Sequence, residues 1–169
     1  MNGWNVRRVT ADDAARMRAL RLEMLADHPL AYLETLAQHA ARSHEGYRRR
    51  LAQAARGGQL AQFVADPGGR GRLIGHAGGT VMAGSPDETV IFAVYVTPAH
   101  RGGKVLADLV EAVASWSRAA GREGLMLEVV TGNGRAVRAY EKLGFEDTGE
   151  RVPHPVVPVL TELRMRRRI

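Results

Sequence analysis

Apolar side chains recur every three to four positions at Met17, Leu20, Met24 and Leu25, which predicts a helix with one buried face. Thr10 and Asp13 stand at capping-box spacing, and Asp12 and Asp13 suit the positive end of a helix dipole, so this helix is expected to begin near Ala11. It should stop before Pro29, because proline disfavours helical geometry in the residue that precedes it. A short strand is expected over 4–9, a loop over 31–35, and a more polar helix over 42–56 closed by Gly57 and Gly58.

The pattern then changes period. Strands are expected over 60–65, 73–82 and 89–96, and the short turns Pro67-Gly68-Gly69 and Gly84-Ser85-Pro86-Asp87 between them imply an antiparallel meander. Val105, Leu106, Leu109, Val110, Val113 and Trp116 restore the helical period in the clearest apolar stripe of the chain, which ends near Gly121. A strand over 125–130, a helix over 135–143 closed by Gly144, and a final antiparallel pair over 145–152 and 159–165 complete the chain. The strand, helix and strand between 89 and 130 have the length of a crossover unit, which sets those two strands parallel. The expected architecture is α+β, a mixed sheet flanked by helices.

Composition narrows the chemistry. A chain of 169 residues, 45% hydrophobic and 25% charged, is ordinary globular material and is expected to form one domain over 1–169. With no cysteine, disulfides, thiolate metal ligands and a cysteine nucleophile are excluded. The opening stretch from Met1 to Arg7 has no apolar signal core, and the longest strongly apolar run, 90–96, is too short to span a bilayer. A cytoplasmic protein without membrane contact is the expectation. The formal charge of +6 suits an anionic partner, but the arginines are scattered, which counts against nucleic acid.

One junction offers an anion site. The strand ending at Val96 is followed by Thr97-Pro98-Ala99-His100-Arg101-Gly102-Gly103-Lys104 and then directly by the amphipathic helix. Glycines let backbone approach a ligand, the first N–H groups of a helix point outward, and Arg101 and Lys104 add positive charge. The same residues also serve a plain strand-to-helix turn. The run from Val94 to Gly102 resembles the strand and turn of the GNAT superfamily of acetyltransferases, in which an Arg-Gly-rich loop binds the pyrophosphate of coenzyme A. Asn133-Gly134-Arg135-Ala136 followed by Tyr140-Glu141-Lys142-Leu143-Gly144-Phe145 resembles that superfamily's second hallmark, and the run from Leu20 to Pro29 is similar to its first helix and loop. Lys104 and Leu106 depart from the pattern, standing where the superfamily usually has small residues.

The resemblance implies a mostly antiparallel sheet with a central splayed parallel pair, and acetyl-coenzyme A as co-substrate with no metal. It implies cofactor contacts from Tyr95, Val96, Arg101, Gly102, Gly103, Lys104, Val105, Leu106, Asn133, Ala136 and Tyr140. Val96 is the expected backbone donor to the thioester oxygen, a preorganised dipole of the kind that stabilises acyl-transfer oxyanions. Tyr140, with an ordinary pKa near 10, is the expected catalytic acid for the departing thiolate. On the residues alone, Tyr140 also fits simple packing on a helix face with Ala136, Val137 and Leu143, and Asn133 also fits a helix N-cap. An acceptor ammonium needs a base, for which Glu34, Glu88 and His154 are candidates. His28 and His76 lack ligand-like spacing with a carboxylate, so no metal site is expected. The acceptor is expected to be an amine-bearing small molecule, peptide or protein, met by the segments 29–35 and 151–158. The second of these, with Pro153, Pro155 and Pro158, is expected to be a stiff loop rather than paired strand. A homodimer fits the commonness of two-fold symmetry. The competing expectation is a non-catalytic module of the same fold that senses coenzyme A or holds nucleic acid on its basic surface.

Overall fold

The computed structural model describes residues 3–169; Met1 and Asn2 of the opening stretch lie outside the described residues. In chain order the elements are β1 (Asn5–Arg8), α1 (Ala14–Asp27), α2 (Leu36–Ala40), α3 (His44–Ala54), β2 (Leu60–Asp66), β3 (Gly75–Met82) and β4 (Ser85–Val96). There follow α4 (Val105–Ala119), β5 (Gly124–Val130), α5 (Gly134–Glu141), β6 (Glu146–Pro153) and β7 (Thr161–Arg168). The strands form one sheet in the order β1-β2-β3-β4-β5-β7-β6. Every pairing is antiparallel except that of β4 with β5, which α4 connects as a crossover. The mixed sheet with a parallel pair is the architecture that the periods and the crossover length predicted, and the pair's central place is what the resemblance implied.

Local chemistry explains most boundaries. Ahead of α1 a 3-10 turn over Ala11–Asp13 forms, and the Asp13 carboxylate accepts the Thr10 N–H at 2.8 Å. The helix α2, absent from the sequence expectation, is started by Thr35, whose hydroxyl accepts the Gln38 N–H at 3.1 Å while Gln38 bonds the Thr35 N–H at 2.8 Å. Two expectations are corrected. The turn placed at 84–87 is a tighter hairpin, with Gly84 at φ 79° and β4 already under way at Ser85. The segment expected to be a loop from 151 is paired as far as Pro153, which faces Thr161, so the loop covers only 154–160.

Two apolar clusters lie against the sheet. One joins Val105, Leu109, Val110 and Val113 of α4 to inward residues of β2–β5 and β7, with Ala136, Val137, Tyr140 and Leu143 around α5 packed onto it. The other joins Met17, Leu20, Met24 and Leu25 of α1 and Leu51 of α3 to Val9, Val64, Leu73 and Tyr95. The glycines of β3 let α4 come close: a Cβ at Gly75 would stand 2.9 Å from Leu109 Cδ1, and one at Gly79 2.9 Å from Val113 Cγ1. An ion-pair network ties α1 to the sheet edge. Asp66 of β2 meets Arg7 of β1 at 2.7 Å and Arg16 of α1 at 2.6 Å, and Arg7 also meets Asp13 at 2.7 Å. Among the described residues no helix is long and apolar enough to cross a membrane.

Candidate functional site

The parallel strands part company early. β4 and β5 are paired only from Glu88, Thr89 and Val90 to Gly124, Leu125 and Met126, yet β4 runs on to Val96 and β5 to Val130. A β-bulge accounts for the divergence. On β3 two steps from His76 to Gly78 face three steps on β4 from Tyr95 to Phe92, and the extra residue, Ala93, stands at φ 50°. Such a backbone is strained for any residue with a Cβ, so something must hold it. His76, buried at 2% exposure, does so: Nδ1 donates to the Ala93 carbonyl at 2.7 Å, and Nε2 meets the Gln62 side chain at 2.9 Å. Burial pushes the His76 imidazole down to about 4, so the ring is neutral at ordinary pH and the Ala93 carbonyl accepts its Nδ1–H.

Past the bulge the strand turns its polar groups into the gap. Thr97 N–H donates to the carbonyl of Ile74, the residue before β3, at 2.9 Å, so alternation aims the N–H and C=O of Val96 away from β3. The Val96 carbonyl accordingly accepts from Arg101 Nε at 2.9 Å, and the Val94 carbonyl from the Tyr32 hydroxyl at 3.1 Å. Tyr32 was not among the sequence candidates. Its one sequence signal is that it is the aromatic residue of the loop assigned to the acceptor.

The turn after β4 leads straight into α4. Pro98–His100 form a 3-10 turn, Gly102 takes φ 78°, and Lys104 is the N-cap. The bond from Asp108 N–H to the Lys104 carbonyl, at 2.9 Å, opens the helix, which leaves the N–H groups of Val105, Leu106 and Ala107 without helical partners. No side chain caps them. Gly103 and Lys104 are exposed, whereas the Val105 side chain is buried at 0% exposure and Leu106 packs on the core, so both of these offer only backbone here. Arg101 differs from expectation. Its guanidinium is ion-paired with Asp27 at the end of α1 and lies 5.5 Å over the Tyr95 ring, turned back from the helix start. Tyr95 in turn points its hydroxyl to Glu23 and Asp27, at 3.2 and 3.1 Å.

Across the gap, Asn133 caps α5 by accepting the Ala136 N–H at 3.2 Å, which leaves its side-chain NH2 group outward. Tyr140 packs edge-on to Phe145 with ring centroids 5.8 Å apart. Burial, with a smaller contribution from Tyr32, raises the Tyr140 phenol well above its ordinary range, and no hydrogen bond enters into the shift. It therefore stays protonated at neutral pH. The packing and acid readings of Tyr140 are compatible, because the ring packs while no group among the described residues bonds the hydroxyl.

The three candidate bases are already engaged. Glu34 binds Arg42 at 2.5 Å and Arg21 at 3.4 Å, with its carboxyl below the usual range. Glu88 meets Arg166 at 2.9 and 3.1 Å. His154 is buried, with Nε2 on the Leu30 carbonyl at 2.9 Å and Nδ1 accepting from Val156 and Val157. Glu162, missed in the sequence, is a buried carboxyl on β7 that burial and Glu128 hold above the usual range. Among the described residues no group of three or more His, Asp or Glu is arranged to hold a metal.

Residues 22–145 match the Acetyltransferase (GNAT) family. No curated protein matches the chain. Its fold is similar to the GNAT acetyltransferase of Streptococcus pneumoniae at TM-score 0.77 and 19% identity, over 98% of this chain and 99% of that one. It is also similar to yncA of Salmonella typhimurium, solved with its cofactor acetyl-CoA, at TM-score 0.76 and 18% identity over 99% and 94%. The ribosomal-protein-alanine N-acetyltransferase of Brucella melitensis follows at TM-score 0.72 and 20% identity over 98% and 99%.

Proposed function

Because the chain belongs to the GNAT acetyltransferase family, we propose that it transfers an acetyl group from acetyl-coenzyme A to a primary amine by direct attack within a ternary complex. The observation that carries this reading is the gap between β4 and β5 beyond Val90, into which Val96 turns an N–H. An extended amide-bearing arm pairs naturally with such an unpaired strand edge. The open N–H groups of Val105, Leu106 and Ala107, with exposed Lys104 and the backbone of Arg101, Gly102 and Gly103, form a cradle fitted to a pyrophosphate. Neither the buried Val105 side chain nor the Arg101 guanidinium is needed there. The outward amide of Asn133 and the Ala136 face complete the cofactor side.

Acetyl-coenzyme A supplies the thioester that the amine attacks. The Val96 N–H is placed in this reading to polarise the carbonyl oxygen, worth about 3 kcal/mol in comparable acyl-transfer sites. Tyr140 gives its proton to the departing thiolate, whose conjugate thiol has an ordinary pKa of about 8.5, and the phenolate so formed is reprotonated by the proton that the newly acylated nitrogen sheds. Because no group among the described residues bonds its phenol, which is held protonated, it is suited to that task and not to deprotonating the acceptor.

Calorimetric titration with acetyl-coenzyme A tests the reading. The wild type should bind, Lys104→Ala should bind about tenfold more weakly through one lost phosphate contact, and amine-dependent thiol release should follow. The diversion of Arg101 to Asp27 favours a second reading, a module that senses coenzyme A without turnover. Binding with no acetyl transfer to any amine would select it.

A further inference from the structure

Among the described residues, the large apolar side chains that stand exposed are Leu30, Leu33, Leu36, Val156 and Val159. They fall on two segments far apart in sequence, 30–36 and 156–159, and His154 fastens these together. Its Nε2–H donates to the Leu30 carbonyl at 2.9 Å while Nδ1 accepts from the Val156 and Val157 N–H groups at 3.2 and 3.0 Å, a pattern that needs the neutral ring. Tyr32 of the first segment reaches Val94 on β4, and just beyond the second segment the Thr161 carbonyl of β7 accepts the N–H of Thr131, the residue after β5, at 2.7 Å. Through His154 these segments form one apolar lip beside Tyr32, whose hydroxyl bonds the Val94 carbonyl of β4.

Charge around that lip is almost fully compensated. Glu34 is held by Arg42 and Arg21, Asp27 by Arg101, and Glu128 and Glu150 by Arg164 at 2.8 and 3.2 Å. Glu162 is the exception: among the described residues it has no guanidinium or ammonium partner, its carboxyl sharing a side-chain hydrogen bond with Glu128 and standing 4.0 Å from His154 Nε2. It sits on the sheet face opposite Leu163 and Met165, under the junction that His154 makes. Beside Leu33 a depression of about 520 Å³ is lined by Glu34, Gln38, Ala41 and Arg42, a size for a small molecule.

We propose that the acceptor is a small monoamine on an apolar body, its ammonium meeting Glu162 and its apolar part lying against Leu33, Val156 and Val159. This inference rests on the acetyl-transfer reading above. A second ammonium would meet either the apolar lip or carboxylates already satisfied by arginine, so polyamines are disfavoured.

The test measures thiol release with phenethylamine, ethanolamine and spermidine, beside calorimetric titration of acetyl-coenzyme A. The proteins are the wild type, Leu33→Ser/Val159→Ser and Glu162→Gln. Phenethylamine should show a kcat/KM about tenfold or more above the other two, the value expected for burying an aromatic ring. The double variant, altered only at exposed positions, should raise KM for phenethylamine about tenfold and leave ethanolamine and acetyl-coenzyme A binding unchanged. Glu162→Gln should lower kcat/KM for every amine and shift the acid limb of its pH profile, which a purely structural role would not move. A preference for spermidine or ethanolamine overturns the inference, as does discrimination retained in the double variant or acetyl-coenzyme A binding without transfer to any of the three. A short peptide beginning with leucine, used better than phenethylamine, overturns the small-molecule assignment. A dimer that the double variant splits, with KM unmoved, would show that the lip covers a second copy instead. Failure of the wild type to bind acetyl-coenzyme A removes the acetyl-transfer reading itself.

Discussion

At the scale of single residues, the site depends on two groups kept in fixed protonation states, the partly buried Tyr140 and the fully buried His76. Tyr140 is raised by burial and stays a phenol, so its replacement by phenylalanine should lower kcat about 100-fold while the Kd for acetyl-coenzyme A stays unchanged, as rapid-quench and calorimetric measurements will read. His76 is pushed the other way, to about 4, and the sign of its effect on stability follows. Between about 6.5, the ordinary value, and the folded value the unfolded chain binds more protons than the folded one, so stability is lost as pH falls through that window. The urea midpoint should fall between neutral pH and pH near 5, and His76→Gln should flatten that dependence. The sequence offered Tyr140 through its hallmark, but it offered His76 only as a ligand to be discounted. Its task of clamping the Ala93 carbonyl depends on a bulge that no local pattern announces.

At the scale of elements, the close seat of α4 on β3 decides where the helix start points. The apolar stripe from Val105 to Trp116 announced the helix, and the glycines of β3 announced nothing until their neighbours were known. A Cβ at Gly79 would stand 2.9 Å from Val113 Cγ1, 3.0 Å from Thr89 Cγ2 and 3.1 Å from Trp116 Cζ3. Gly79→Ala should therefore cost about 2 kcal/mol by overpacking and weaken acetyl-coenzyme A binding with it. Gly58→Ala, which meets nothing within 4 Å, should stay within about 0.5 kcal/mol, and urea denaturation separates the two. The five-residue α2 went unseen because so short a helix has no periodic stripe, only the Thr35 and Gln38 cap.

At the scale of the whole molecule, the Arg7, Asp13, Asp66 and Arg16 network fastens the start of α1 to the sheet edge. Asp66 is held well below its ordinary value, chiefly by Arg16, and Asp13 is lowered too, with the Arg7 hydrogen bond opposing burial. For carboxyls shifted down, the stabilisation is present above the unfolded value of about 3.9 and is lost as pH falls through the folded one. Asp66→Asn should cost about 2 kcal/mol at neutral pH and reduce the loss of stability under acid, measured by urea midpoints across pH. The sequence by itself determined every strand and helix but α2, their order, the crossover that makes β4 and β5 parallel, and the helix start after Lys104, because periodicity, caps and glycine turns act within a few residues. Only the tertiary structure decided that the Arg101 guanidinium answers Asp27, that Tyr32 reaches Val94 and that His154 holds Leu30. Those partners lie 74, 62 and 124 positions apart, and a side chain chooses among distant partners only once sheet register and helix packing have brought them within a few ångströms.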